Sequence, residues 1–232
     1  MKTTHNILVF SILNAGILLV SVFHARSQEG TWYVKADLGG NVTRDVKMNE
    51  FFGLPVAPGS KLQLDPGVRA GFAGGYQFTD WFSAEGELGV FANRVNSITG
   101  ATEVHEASFG NIPVLVNGKL QLPNPTPFTP YIGAGIGFSE AFLDARRIAY
   151  PDGAGGTVFV RGSDADTVFA WQALAGLRYA INKRMGLSVE YRYFRADGGE
   201  WRADFAPGAP SDRIRFGRTE THAVSLAFDV HF

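Results

Sequence analysis

Eight short segments of the chain alternate between apolar side chains and side chains of other kinds, and this alternation limits the possible folds more than any other feature. The segments span about residues 32–41, 68–78, 82–90, 112–122, 132–138, 169–179, 187–193 and 224–232. One phase of every segment consists of aliphatic, aromatic, glycine and alanine residues only. A period of two residues is that of a β-strand, whose successive side chains point to opposite faces. The sequence therefore predicts an all-β fold with two chemically different faces.

The other phase of these segments carries ten charged side chains, five basic and five acidic. They are Lys35, Asp37, Arg69, Glu85, Glu87, Lys119, Arg178, Glu190, Arg192 and Asp229. Alternation alone would also suit a soluble barrel with an apolar interior. The balance of charges favours an interior in which they neutralise one another, and the aromatic, glycine and alanine face favours lipid. We therefore predict a closed antiparallel eight-stranded up-and-down transmembrane β-barrel, with these ten residues as a charge network in its lumen.

Closure of the barrel is expected because its outer wall faces lipid rather than water. An unpaired backbone group in hydrocarbon costs several kcal/mol, so the last strand is expected to pair with the first. Three connections are short, at Asp80, residues 123–130 and residues 182–183. Four are long, at about residues 43–67, 91–110, 139–167 and 195–221. Short periplasmic turns that alternate with long external loops are typical of outer-membrane barrels.

The N-terminal 27 residues have the pattern of a signal peptide. Lys2 precedes an apolar run over residues 7–23, and Ala25 and Ser27 supply small residues at a cleavage site. A membrane anchor is the alternative, although the run is slightly short for one. We predict export, a signal peptide over residues 1–27 and a barrel domain over residues 28–232, located in the cell outer membrane.

Aromatic residues concentrate at the predicted strand ends, where rings favour the interface between membrane and water. The predicted periplasmic aromatic girdle is Trp32, Tyr76, Phe78, Trp81, Phe82, Tyr131, Tyr179 and Phe232. A second girdle toward the outside is Phe138, Phe169, Trp171 and Tyr193. Pro113 cannot donate a ladder hydrogen bond, so we expect it near the external end, at a bulge or where the ladder begins.

Three stretches give the chain a family resemblance. They are TPYIGAGIGF at residues 129–138, ALAGLRY at 173–179 and LSVEYRYF at 187–194. With the terminal phenylalanine, the chain resembles the small outer-membrane β-barrel family that includes the OmpA transmembrane domain, OmpX and the opacity-type surface proteins. The resemblance implies an assembly signal for the barrel assembly machinery, formed by Val224, Leu226, Phe228, Val230 and Phe232.

The lumen charges allow two interpretations. They could exchange partners as a gated ion pathway, or form a static plug, since an eight-stranded barrel is just wide enough for side chains to fill it.

An enzyme is a distant alternative, because His105, His222 and His231 do not form a His-x-Ser pair like that of lipid A deacylases. We predict no enzyme, no catalytic residue, no cofactor and no metal, since Asp164 and Asp166 without a metal-binding loop motif are weak evidence for a metal site.

The functional prediction is a structural or surface-interaction, adhesin-like role. A narrow porin-like channel is the alternative, and a lipid A-modifying enzyme is the distant one. Expected partners are outer-membrane lipid and lipopolysaccharide, the assembly machinery and an extracellular ligand. The formal net charge of −1 gives no reason to expect nucleic acid. Arg146, Arg147 and Arg218 are candidate contacts for lipopolysaccharide phosphates, and we expect a monomer.

Overall fold

The computed structural model describes residues 30–151, 154–205 and 212–232, so the predicted signal peptide lies outside the described residues. Within these ranges, no helix is long and apolar enough to span a membrane. The described residues form thirteen strands. They are β1 (Thr31–Thr43), β2 (Val46–Phe51), β3 (Leu54–Pro55), β4 (Lys61–Leu64), β5 (Gly67–Thr79), β6 (Phe82–Ile98), β7 (Glu103–Gln121), β8 (Phe128–Pro151), β9 (Thr157–Ala180), β10 (Met185–Ala196), β11 (Glu200–Phe205), β12 (Asp212–Phe216) and β13 (Thr219–His231).

Eight strands pair antiparallel in a ring. The order is β1, β5, β6, β7, β8, β9, β10 and β13, and β13 pairs again with β1. The last pairing places Lys35 opposite Asp229 and Leu38 opposite Leu226. These eight strands contain the eight alternating segments, and the predicted fold class is confirmed.

The four stretches predicted as external loops are mostly strand, so those boundaries are wrong. β8 and β9 are 24 residues each and continue far beyond the predicted segments. Further pairings join β6 to β4, β4 to β2, β2 to β12, β12 to β11 and β11 to β9. We call this outer part the extracellular extension. It comprises β2, β3, β4, β11, β12 and residues 93–98, 103–109, 141–151 and 157–168 of β6–β9.

The two faces of the wall exchange polarity between the membrane part and the extension. In the membrane part, the exposed residues are apolar, as at Leu38 and Leu226. In the extracellular extension, the apolar side chains point inward and form a buried core, which includes Val46, Leu62, Phe109, Leu143, Trp201 and Phe216. Their neighbours Lys47 and Arg215 are exposed. The exchange has a simple cause, because the solvent outside the wall changes from lipid to water.

The height of the apolar band agrees with a bilayer. On β1 the outward positions are apolar from Trp32 to Val42, and the next outward residue is Arg44. Ten residues at ~3.3 Å each, in strands tilted by roughly 40°, span about 25 Å. That is the usual height of the lipid-facing band of an outer-membrane barrel.

Arginine at Leu38, in the middle of this band, is expected to lower the free energy of unfolding by about 2–4 kcal/mol. The same change at Val42, next to the outer boundary, should cost only ~0–1 kcal/mol. Both positions are exposed on β1, so Val42→Arg is a matched control. Urea unfolding in lipid vesicles measures both. Equal costs would show that the band is placed at the wrong height.

Pro113 does not lie at a bulge or at a strand end, contrary to the expectation. It lies within β7 opposite Ser139 of β8, with its side chain buried. On the β6 side, pairing resumes in the same register after the gap, with Leu88 opposite Val114 and Phe91 opposite Asn111. A residue without an N–H group therefore interrupts the ladder locally and does not shift it.

Candidate functional site

The lumen of the membrane part is occupied by a network of ion pairs centred on Glu87. Its carboxylate accepts hydrogen bonds from Arg69 Nη2 at 2.5 Å and from Arg192 Nη1 at 2.7 Å. Asn117 Nδ2 at 2.7 Å and Gln172 Nε2 at 2.9 Å complete the shell. These five side chains come from five different strands and are buried. A carboxylate held by so many donors ties the ring together across its centre.

A second centre lies toward the periplasm. Glu85 accepts hydrogen bonds from Lys119 at 2.6 Å, Lys35 at 2.9 Å and the Tyr33 hydroxyl at 2.9 Å. Glu190 pairs with Arg192, and Asp37 pairs with Arg69. At the periplasmic mouth, Arg178 donates through Nε and Nη2 to Asp229. The inward phase therefore holds all ten of the charged residues singled out in the sequence.

Little space remains between these side chains. A cavity of about 30 Å³ lies beside Lys35 and Lys119, which is room for about one water molecule. A Cβ atom on Gly135 would collide with Asn117 Oδ1, so glycine there makes room for the network. Above the charges, the Phe91 and Phe194 rings stack with centroids 4.7 Å apart. The membrane part of the lumen is thus filled, and the apolar core of the extension lies above it.

Tyr131 was predicted in the periplasmic girdle, and that prediction is wrong. Its side chain is only 7% exposed, and its hydroxyl donates to Glu190 Oε2 at 2.8 Å inside the lumen. The reason is phase, because Tyr131 has the same parity on β8 as the inward Gly133, whereas Ile132 faces lipid. Burial of the ring also places an amphipathic side chain where its hydroxyl has a partner.

The other seven girdle residues lie at the periplasmic end, on or next to the outer wall, and none of their side chains is buried. The rings of Trp32 and Tyr76, and of Tyr76 and Phe78, are 4.9 Å apart. Phe232 is exposed, and its backbone N–H donates to Trp32 O at 2.9 Å. The remaining four residues of the predicted assembly signal also face outward along β13.

The wall of the extension is open between β6 and β7. Pairing in this hairpin ends at Arg94 opposite Ser108. Above that point residues 95–98 pair only with β4, and residues 103–107 pair only with β8. Thr102 N donates to Ala149 O at 2.8 Å and holds the turn at the top. We call the opening, between residues 95–98 and 103–107, the lateral window.

The lateral window is a notch in the wall. It holds a cavity of about 720 Å³, and its lining includes inward Val95 and Ala107 as well as outward Arg94 and Ser108. Glu106, on its edge, has a φ of 46°, which is uncommon for a residue other than glycine. The adjacent β8 has an irregularity in its pairing with β9 between Ala145 and Ile148. Irregular backbone gathered at one place is typical of functional positions.

The arginines predicted to contact lipopolysaccharide have different surroundings. Arg146 pairs with Glu106 at 2.6 Å beside the lateral window, and the Arg147 guanidinium lies 4.2 Å from the centre of the Phe159 ring. Arg218 lies 3.6 Å from Glu220 at the base of the extension.

Two aspartates of the extension accept hydrogen bonds from the backbone. Asp164 and Asp166, considered as metal ligands, accept hydrogen bonds from backbone N–H groups of Arg202 and Glu200, each at 2.9 Å. In the described residues, no group of three or more acidic, histidine or cysteine side chains is placed to hold a metal ion. On the outer face, hydrogen bonds from Arg215 and then Arg213 hold the pKa of Glu200 below its usual value.

Outward apolar strands in a closed ring and a filled, charged lumen together define an integral outer-membrane β-barrel protein. The chain belongs to the outer membrane protein β-barrel domain family, which matches it over residues 13–232. The protein is therefore located in the outer membrane of a Gram-negative bacterium. This confirms the family resemblance inferred from the sequence.

Known proteins give the same architecture. Neisserial surface protein A has a TM-score of 0.53 and 16% identity, and covers 88% of this chain and 100% of its own. OprG from Pseudomonas aeruginosa has a TM-score of 0.57 and 15% identity, and covers 88% of this chain and 97% of its own. At these identities the likeness concerns the fold alone. An uncharacterized protein of Brucella abortus is 27% identical over 159 residues, 60% of this chain and 55% of that protein, so the match spans about half of this relative's length.

Proposed function

We propose that the protein is a sealed surface barrel that presents its extracellular extension to a partner outside the cell. One observation carries the proposal, namely that the lumen is filled while the extension is an ordered, apolar-cored structure open to the side. A filled lumen argues against transport along the axis. An ordered extension costs less conformational entropy on binding than mobile loops would.

The lateral window is the part of the extension that we assign to the partner. Both of its edges are strand segments that lack a neighbour on that side, and such edges accept an added extended segment through main-chain hydrogen bonds. Two basic residues, Arg94 and Arg146, and two acidic residues, Glu103 and Glu106, lie around the lateral window. A polypeptide of mixed charge would suit this surface.

A narrow channel is the competing function, and planar-bilayer recording tests it. Bilayers that contain the refolded protein are expected to show no conductance steps, because the Glu87 network and the Phe91–Phe194 pair block the axis. A general porin, refolded in the same way, serves as the positive control. Reproducible steps from the wild-type protein would reject the sealed-barrel proposal in favour of the channel.

The surface role is tested by display on a non-adherent Escherichia coli strain and attachment to cultured epithelial cells. Display should raise attachment severalfold. Ser97→Cys with His105→Cys would face each other if the hairpin were fully paired in its register, so their oxidation should close the lateral window and abolish the gain. Reduction should restore it. Attachment that does not rise on display, or does not change on oxidation, would contradict the proposed role.

A role without catalysis is part of the proposal. The hydrogen bonds and ion pairs of the three described histidines go to Glu103, to the hydroxyl of Tyr191, and to Asp229. These partners belong to separate parts of the wall, and none of them is a serine. Catalysis by a serine nucleophile needs the nucleophile and its base within hydrogen-bond reach.

A further inference from the structure

Three arginines and one glutamate lie on neighbouring chain segments where the apolar band meets the extension. Arg44 Nη1 lies 2.9 Å from Glu220 Oε2, and Arg218 Nε lies 3.6 Å from Glu220 Oε1. Arg195 lies directly opposite Glu220 in the pairing of β10 with β13. We call these four residues the rim cluster. Arg44 and Arg218 lie close to the Glu220 carboxylate and Arg195 lies on the strand position opposite it, so three positive charges stand with one negative charge.

Nearby acids do not cancel this excess. Asp45 is paired with Lys61 at 2.6 Å. Asp197, two residues beyond Arg195, is the next outward acid on that chain segment, and with it the cluster still carries one more positive than negative charge. Other strands reach the same level with Asp65 and Arg94, joined by a backbone hydrogen bond of 3.0 Å, and with Ser108, Glu140 and Thr167. Their one basic and two acidic residues give no positive excess, so among the described residues the positive excess at this height lies at β1, β10 and β13.

The height of the rim cluster is that of lipid headgroups. Arg44 and Arg195 lie two residues beyond Val42 and Tyr193 of the apolar band, and Glu220 lies two residues beyond the His222 ring. Two residues along a strand are about 7 Å. Arg44 and Arg195 thus stand one step above the acyl chains, where the outer leaflet carries its charged groups, and Arg218 stands one further step above Glu220.

An aromatic surface lies directly below the rim cluster. The Tyr193 ring is 5.2 Å from His222 and 5.4 Å from Trp171, measured between centroids. The hydroxyl of Tyr191 and His222 Nδ1 are 2.7 Å apart. Rings with polar tips are suited to the boundary between acyl chains and sugar headgroups. Cationic groups above aromatic ones match a lipid that has a phosphorylated sugar head.

We propose that Arg44, Arg195 and Arg218 bind a phosphate group of a phosphorylated glycolipid in the outer leaflet, with Glu220 as the residue that positions Arg44 and Arg218. Arginine forks donate paired hydrogen bonds to phosphate oxygens. The lipid is the lipid A part of lipopolysaccharide, whose sugar would lie on the Trp171–Tyr193–His222 surface. This site is separate from the lateral window, and its failure would leave the surface proposal intact.

The test uses the refolded full-length barrel in detergent, titrated with bisphosphorylated lipid A and with chemically dephosphorylated lipid A, with binding followed by native mass spectrometry. The variant Arg44→Gln/Arg195→Gln/Arg218→Gln should bind bisphosphorylated lipid A at least about tenfold more weakly, which is about 1.4 kcal/mol. Dephosphorylated lipid A should bind weakly and equally to both proteins. Heat-modifiable gel mobility verifies that each variant is folded.

A control removes the same charge elsewhere. Arg161→Gln/Arg202→Gln/Arg213→Gln changes three exposed arginines of the extension away from the rim cluster and should bind like the wild type. An equal loss in this control would show that binding reflects overall charge and would overturn the site. Equal binding of phosphorylated and dephosphorylated lipid A by the wild type would overturn the phosphate assignment. Phosphatidylglycerol should bind more weakly than bisphosphorylated lipid A, and equal binding would reject the glycolipid as the ligand.

Discussion

Alanine at Glu87 is expected to lower the free energy of unfolding by about 3–5 kcal/mol, since it removes the acid from a buried ion-pair network. Arg69 and Arg192 would lose their shared carboxylate, and both are fully buried. Asn117 and Gln172 would lose an acceptor as well. Urea unfolding in lipid vesicles, followed by gel mobility or tryptophan fluorescence, measures the loss.

An exposed pair of similar length provides the control. Glu106 lies 2.6 Å from Arg146, with the two side chains 66% and 77% exposed. Alanine at Glu106 should cost less than about 1 kcal/mol, because water screens and solvates both charges. If the two substitutions had similar costs, the lumen charges would have to be hydrated, and the filled lumen would be wrong.

Part of this network could be predicted from the sequence, and part could not. Alternation tells which face of a strand a residue occupies, so the inward position of Arg192 and Glu87 follows from the pattern. It does not tell their height in the barrel or their partners. Glu87 meets Arg192, 105 positions away, because the strands are staggered around the ring, and the stagger depends on every register in the sheet.

The extension escaped prediction although its strands have the same period. In the membrane part the apolar residues face outward, whereas in the extension they face inward. On β7 they occupy the odd positions Ala107 and Phe109 and then the even positions Ile112 and Val114. Such a change of phase within one strand marks the point where lipid gives way to water, and it is visible in the sequence.

No sequence pattern of this kind predicts the lateral window. It depends on the end of pairing above Arg94 and on the left-handed backbone of Glu106. Glycine and asparagine are the residues that favour that conformation, and glutamate does not. A backbone position imposed by its surroundings cannot be predicted from local residue preference.

Alanine at Trp201 is expected to destabilise the extension by about 3–5 kcal/mol, the usual cost of removing a large buried aromatic side chain. The indole is 2% exposed, its ring centroid lies 4.9 Å from that of Phe216 and 5.9 Å from that of Phe109, and its Nε1 donates to Ala141 O at 2.9 Å. It thus joins β11 to β7, β8 and β12. Its loss should release β11 and β12 first, because they have no part in the membrane ring.

Hydrogen exchange measured by mass spectrometry separates the two parts of the barrel. In Trp201→Ala, amides of β2, β11 and β12 should exchange at least tenfold faster, while those of β1 and β13 in the membrane keep their protection. Trp81→Ala is the control, because Trp81 is 55% exposed at a periplasmic turn and should leave exchange in the extension unchanged. Unchanged exchange of β11 and β12 in Trp201→Ala would mean that the apolar core does not hold the extension together, and a preformed binding surface would lose its physical basis.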